Sequence, residues 1–157
     1  MATAYLICGS TGAGKTTHAQ NLAHSENARI FSIDEWMQNL FWKDAPLNPD
    51  FNWAIERVQR CEKQIWLVAE SLLRGGTNVI LDLGFSKRTQ RDEYRRLVSA
   101  AGATPRLIYL DIPAAIRIER VRERNDQKSG TYQFHVSDET FRWMEAYFEA
   151  PGEDELA

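Results

Sequence analysis

GSTGAGKT, Gly9 to Thr16, decides the fold through what stands on either side of it. Before it runs the short apolar stretch AYLIC, Ala4 to Cys8, with the composition of a buried strand. After it comes a helical period from Lys15 to about His24. The octet satisfies G-x-x-x-x-G-K-S/T, and a strand before with a helix behind is the setting in which that pattern acts. Gly9, Gly12 and Gly14 let the backbone curl until its N–H groups point inward, and the next helix turns its positive dipole end on the same spot. Such a concavity holds phosphate. Gly9 to Thr17, with Ser10, Thr11 and Ala13 contributing backbone, is therefore expected to cradle ATP. Lys15 would reach the β- and γ-phosphates, the Thr16 hydroxyl would ligate Mg²⁺, and Thr17 would touch the α-phosphate.

Outward from this loop the chain alternates short apolar runs with longer helical periods, which is how a parallel α/β sheet reads in sequence. The further strands are expected at Arg29 to Ile33, Asn78 to Asp82 and Arg106 to Asp111. A long helix is expected from Asn52 to Arg74, with Trp53, Ile55, Val58, Cys61, Ile65, Val68, Ala69 and Leu72 on one stripe and Gly75-Gly76 as its stop. Other helices are expected over Ser86 to Ala101 with Ser86 as N-cap, over Pro113 to Arg124, and from an N-cap at Ser137. Lys43 to Asp50 reads as a loop. The polar stretch from Asn125 to Val136 reads as one long enough to move, a lid at about 125–136. The 157 residues read as a single domain, 1–157.

Composition narrows the partners. Hydrophobic residues make up 43% and charged residues 26%, ordinary for a globular chain, and the net charge of -3 argues against a broad nucleic-acid surface. No stretch approaches the roughly 20 apolar residues of a membrane span, and no signal peptide precedes the first strand, so a cytoplasmic protein without membrane attachment is expected. Cys8 and Cys61 lack metal spacing and read as reduced core thiols.

Phosphoryl transfer needs more than a cradle. Asp34 stands where the second strand ends, the place at which open parallel sheets bind ligands, and a carboxylate there can take the proton of an acceptor hydroxyl. Its other reading is a cap for the next helix. Asp82 closes Val79-Ile80-Leu81 as a carboxylate closes a Walker B strand, and with Thr16 is the choice for Mg²⁺. Asp111 offers the same pattern. Arg117, Arg120 and Arg124 share a helix face next to the lid, from which Arg120 and Arg124 would meet charge on the transferred group. Trp36, Met37, Leu40, Phe41, Trp42 and Trp53 read mostly as core, with some surface left for an apolar acceptor, and Lys87 or Arg88 could hold an anionic substituent.

LICGSTGAGKTT, FSIDEW, NVILDLGFSKRTQRDEYR and LIYLDIPAAIRIERVRERN together resemble the small P-loop kinases of the zeta-toxin-like group, which includes chloramphenicol phosphotransferase and the kinase domain of polynucleotide kinase. The resemblance covers Tyr5 to about Pro151. It implies a three-layer P-loop NTPase fold with strand order 2-3-1-4. Asp34 would correspond to the acceptor-activating aspartate, and Arg120 and Arg124 to lid arginines near the nucleotide. DLGF resembles the DGF segment of adenylate kinase-like enzymes, interrupted by Leu83. Members of the superfamily commonly add a fifth strand, where this chain has the acidic tail GEDELA; the sheet edge is then short, or paired with a second copy in a homodimer. The expected activity is transfer of the γ-phosphoryl group of ATP to a hydroxyl of a small molecule. Its rivals are a 5′-hydroxyl nucleic-acid kinase and a nucleotide-dependent switch with no phosphoryl acceptor.

Overall fold

In the computed structural model, residues 1–127 and 135–156 are described. Four strands form one parallel sheet in the order β2-β3-β1-β4, built from β1 (Thr3–Cys8), β2 (Arg29–Ser32), β3 (Val79–Gly84) and β4 (Thr104–Tyr109). The register places Ala4 between Val79 on one side and Pro105 on the other. β1 and β3 are central and almost wholly buried, as their aliphatic runs require, and β4 is an edge strand that tolerates Pro105. The expected strand order is the observed one.

Side chains alternate across β1. Ala4, Leu6 and Cys8 join Phe31, Leu81 and Phe85 in the larger core, which is covered by α2 (Ile33–Leu40), α3 (Phe51–Arg74) and α4 (Arg88–Ala100). Tyr5 and Ile7 point the other way, to Ala19 of α1 (Lys15–Glu26). On α3 the buried stripe is Cys61, Ile65, Ala69 and Leu73, narrower than expected, with Val68 left exposed. α5 (Ala114–Gln127) and α6 (Asp138–Tyr147) meet through Val121, Val136 and Phe141. Both cysteines are free and buried, and burial pushes the Cys8 thiol up to about 11. Among the described residues no helix is long and apolar enough to cross a membrane.

Several boundaries differ from expectation for local reasons. Ile33 opens α2 and does not end β2, so Asp34 lies inside the first turn of that helix and Ser32 takes the N-cap position. Capping is therefore not the role of Asp34. Lys87, not Ser86, precedes α4, and no side chain caps it. Asp50 and Ser137 do cap, accepting from Trp53 N and Thr140 N at 2.7 and 3.1 Å. β4 ends at Tyr109, which leaves Asp111 outside the sheet.

The acidic tail is not loose. Glu153–Leu156 forms the short α7, and its Glu155 pairs with Arg91 of α4 at 2.7 Å, both side chains being 1% exposed. Arg95 adds a bond to the same carboxylate at 2.8 Å, and Phe148 stacks on Tyr109 of the edge strand. The chain's own C-terminal segment thus packs against α4 and β4. Residues 128–134, most of the expected lid, lie outside the described residues. On either side of them, the Asn125 side chain donates to Val136 O at 2.6 Å and accepts from Val136 N at 3.0 Å.

Candidate nucleotide-binding site

The loop after β1 encloses one side of a cavity of about 680 Å³, whose other walls include Asp34, Arg120 and Arg124. Gly12 and Gly14 have φ of 80° and 87°, in the left-handed region that suits glycine. A Cβ on Gly12 would stand 2.5 Å from the carbonyl oxygen of Arg117, so the loop lies hard against α5. Three successive carbonyls of the loop each accept from a cation. Ser10 O takes Lys15 Nζ at 3.2 Å, Thr11 O takes Arg117 Nη1 at 3.3 Å, and Gly12 O takes Arg120 Nη1 at 3.4 Å. No side chain caps α1 at this end, which leaves its first N–H groups for an anion.

Asp82 and Thr16 come together, Thr16 Oγ1 donating to Asp82 Oδ2 at 3.4 Å. Asp82 is 5% exposed, and burial pushes its carboxyl up to about 6; Lys15 opposes the shift, the Asp34 charge adds to it, and hydrogen bonds from Thr16 and Ser32 oppose it. Asp111 is exposed and accepts from the Tyr109 hydroxyl at 3.4 Å, so of the two candidate aspartates Asp82 is the one beside Thr16. Two hard oxygens at this position suit Mg²⁺, which keeps several waters and phosphate oxygens for itself. Among the described residues no group of three or more His, Cys, Asp or Glu side chains could hold a metal ion unaided.

The remaining charges form a coupled set. Burial lowers the Lys15 ammonium, with Asp82 and then Asp34 opposing. Asp34 opens onto the cavity but is hemmed in by protein, which raises its carboxyl against the pull of Lys15 and Arg124. Burial likewise lowers Arg124, and Asp34 opposes it. Lys15, Asp34 and Arg124 thus line one cavity and act on one another, and Asp82 acts on Lys15 and Asp34. Arg120 joins them through the loop carbonyl.

Other expectations fare differently. Arg117 is the buried arginine of its helix, 5% exposed, and it holds backbone at Ile112 O and Thr11 O together with the carboxylate of Glu145. Arg122 turns outward to Glu119 and Asp138. Arg88 is drawn to Asp154, whereas Lys87 lies over the Tyr147 ring at 4.0 Å. Trp36, Phe41 and Trp42 pack on the main core, Trp42 against Trp53 with ring centres 5.5 Å apart. Sequence reading missed Glu145 altogether; a lone glutamate in a packing helix carries no local signal.

The profile of the AAA domain family AAA_33 matches residues 5–151, nearly the whole chain. The chain belongs to this AAA domain family. Solved structures agree on the fold. This AAA domain resembles a chain from Chloroflexus aurantiacus, provisionally a kinase, with a TM-score of 0.73 at 20% identity over 94% of this chain and 78% of that one. A chain of the Pnkp1/Rnl/Hen1 RNA repair complex aligns with a TM-score of 0.72 at 20% identity, over 93% of this chain and 43% of the other. A sugar kinase from Janibacter sp. aligns with a TM-score of 0.64 at 20% identity, over 99% and 82%. At such identities the likeness is one of fold. No curated protein matches the sequence significantly.

Proposed function

We propose that this AAA domain is an ATP-dependent phosphotransferase that moves the γ-phosphoryl group to a hydroxyl of a small molecule. The observation that carries the reading is the convergence of Lys15, Asp34 and Arg124 on the cavity beside the phosphate loop, with Asp82 behind Thr16 and within electrostatic reach of Lys15. Gly9 to Thr17 binds the phosphates through backbone N–H groups, and Lys15 exchanges the Ser10 carbonyl for the β- and γ-phosphate oxygens. Thr16 and Asp82 would hold Mg²⁺, which would supply charge neutralisation at the phosphates. Asp34 accepts the proton of the acceptor hydroxyl as its oxygen bonds to the γ-phosphorus and the bond to the β-phosphate oxygen breaks, releasing ADP. Arg120 and Arg124 stand on the cavity wall where charge on the transferred group is to be met.

A raised Asp34 carboxyl fits the task, because a base whose proton affinity lies nearer neutrality takes a proton more readily. The narrower placement among zeta-toxin-like kinases rests on FSIDEW and on the run through Arg120 and Arg124. The net charge of -3 favours a small acceptor over a polynucleotide, and a cytoplasmic setting supplies the ATP. Pairing of two copies along the edge strand β4 is the assembly proposed, and sedimentation reads it.

The test offers γ-labelled ATP with a broad panel of hydroxyl-bearing metabolites and antibiotics. Label is expected in one organic product. Release of free phosphate alone, slowly and at a rate indifferent to every candidate, would remove the kinase reading.

A further inference from the structure

Glu145 lies on α6, 135 residues along the chain from Ser10, yet its carboxylate accepts from the Ser10 hydroxyl at 3.2 Å. The same carboxylate takes both terminal nitrogens of Arg117 at 2.7 Å, a two-pronged pairing. Those contacts hold the Glu145 carboxyl below its ordinary value, the Arg117 hydrogen bond being the largest cause. Arg117 in turn donates to Ile112 O at 2.7 Å and to Thr11 O at 3.3 Å. The phosphate loop is thereby tied to both α5 and α6.

We propose that Glu145 is a positioning residue for the phosphate loop, acting through Arg117 on the Thr11–Gly12 peptide and directly on Ser10. The proposal rests on reading that loop as an ATP-phosphate cradle. A trans peptide is planar, so its C=O and N–H point in opposite directions. Drawing the Thr11 carbonyl onto the Arg117 guanidinium turns the Gly12 N–H the other way, and loop N–H groups are what an anion binds. The coupling is tight, because Gly12 approaches Arg117 O so closely that a Cβ there would stand 2.5 Å from it, and loop and α5 cannot shift independently. Without the carboxylate, Arg117 keeps the Ile112 and Thr11 carbonyls and the Phe141 ring but loses the two-pronged ionic pairing that helps to fix its plane. The fixed plane is what preorganises the loop.

Loss of one charge-assisted contact predicts a moderate effect. Mg·ATP, and adenosine by competition, are to be titrated into the full chain as wild type, Glu145→Gln, Ser10→Ala and Met144→Ala. Glu145→Gln is expected to weaken ATP about tenfold and to leave adenosine nearly unchanged. Ser10→Ala should weaken ATP less, and the double variant should lose less than the sum, because the two residues share one bond. Met144 packs on the α5–α6 cluster with an apolar side chain, so Met144→Ala should lower the thermal midpoint without the ATP-selective loss. Glu145→Gln binding ATP like wild type, or losing ATP and adenosine in equal proportion, would overturn the proposal. If Glu145→Gln does not fold, Ser10→Ala decides, and an unchanged ATP affinity there overturns it. Wild type failing to bind ATP would remove the cradle reading itself and the proposal with it.

Discussion

Asp82 and Glu155 are almost equally shielded from water, 5% and 7% exposed, but the fold treats their charges in opposite ways. Burial pushes the Asp82 carboxyl up to about 6, whereas Glu155 is held down to about 2, the Arg91 hydrogen bond being the largest cause. Depth explains part of the difference. Asp82 lies inside the central strand β3 and has a weak 3.4 Å bond from Thr16, while Glu155 lies under the guanidinium groups of Arg91 and Arg95 that both cover it and pair with it. At Asp82, desolvation outweighs pairing; at the C-terminal anchor, pairing outweighs desolvation. The Asp82 carboxylate carries a charge that its surroundings oppose. Charges that serve the fold are already satisfied.

The largest expected effect tests the anchor. Glu155→Ala leaves Arg91, 1% exposed on its side chain, without its carboxylate, and should cost about 3–5 kcal/mol in urea unfolding. A loss below about 1 kcal/mol would mean that Arg91 is satisfied by its bonds to Phe85 O and Glu149 O alone. Asp34→Asn tests the cavity side. Transfer of label should fall by about 10²- to 10⁴-fold while ATP still binds, and the thermal midpoint should stay level or rise, because the variant removes a charge that burial opposes. A large drop in stability would put Asp34 with the anchors.

Acid titration separates the two regions again. Glu155 has a folded value below its unfolded one, so its contribution is present above the ordinary glutamate range near 4.5 and is lost as pH falls towards about 2. Wild-type stability should therefore decline through that window, and Glu155→Gln should show a shallower decline. The smallest effect concerns Glu62 on α3, whose carboxyl burial raises to about 7. A raised carboxyl has the reverse sign: stability is present at low pH and is lost as pH rises from about 4.5 through 7. Glu62→Gln should thus be more stable than wild type at pH 8, by about 1 kcal/mol, and equal to it at pH 4. Equal stability at both pH values would contradict the burial account.

The parts legible in the sequence were those whose signal is local. GSTGAGKT between a strand and a helix defined the loop, and apolar runs ending in Asp34 and Asp82 were read as strand ends, whereas Asp34 lies in the first turn of α2 and Asp82 inside β3. The strand order followed from resemblance, and the structure agrees with it. What escaped was held by distant partners. Ser10 and Glu145 are 135 residues apart and Arg91 and Glu155 are 64 apart, and neither pairing leaves a period or a spacing to read. Arg117 looked like its neighbours on a charged helix face; only its burial between Thr11, Ile112 and Glu145 sets it apart. GEDELA read only as an acidic tail where a fifth strand is common, because Glu155 gains its reason to be buried from α4.

The central claim is that the cavity beside Gly9 to Thr16 takes a nucleotide by its phosphates. Calorimetric titration of ATP, ADP and AMP with Mg²⁺ into wild type and Lys15→Met tests it most directly. Affinity should fall with each phosphate removed, and Lys15→Met should erase most of the difference between ATP and AMP. Affinities independent of phosphate number, or unchanged by Lys15→Met, would contradict the account.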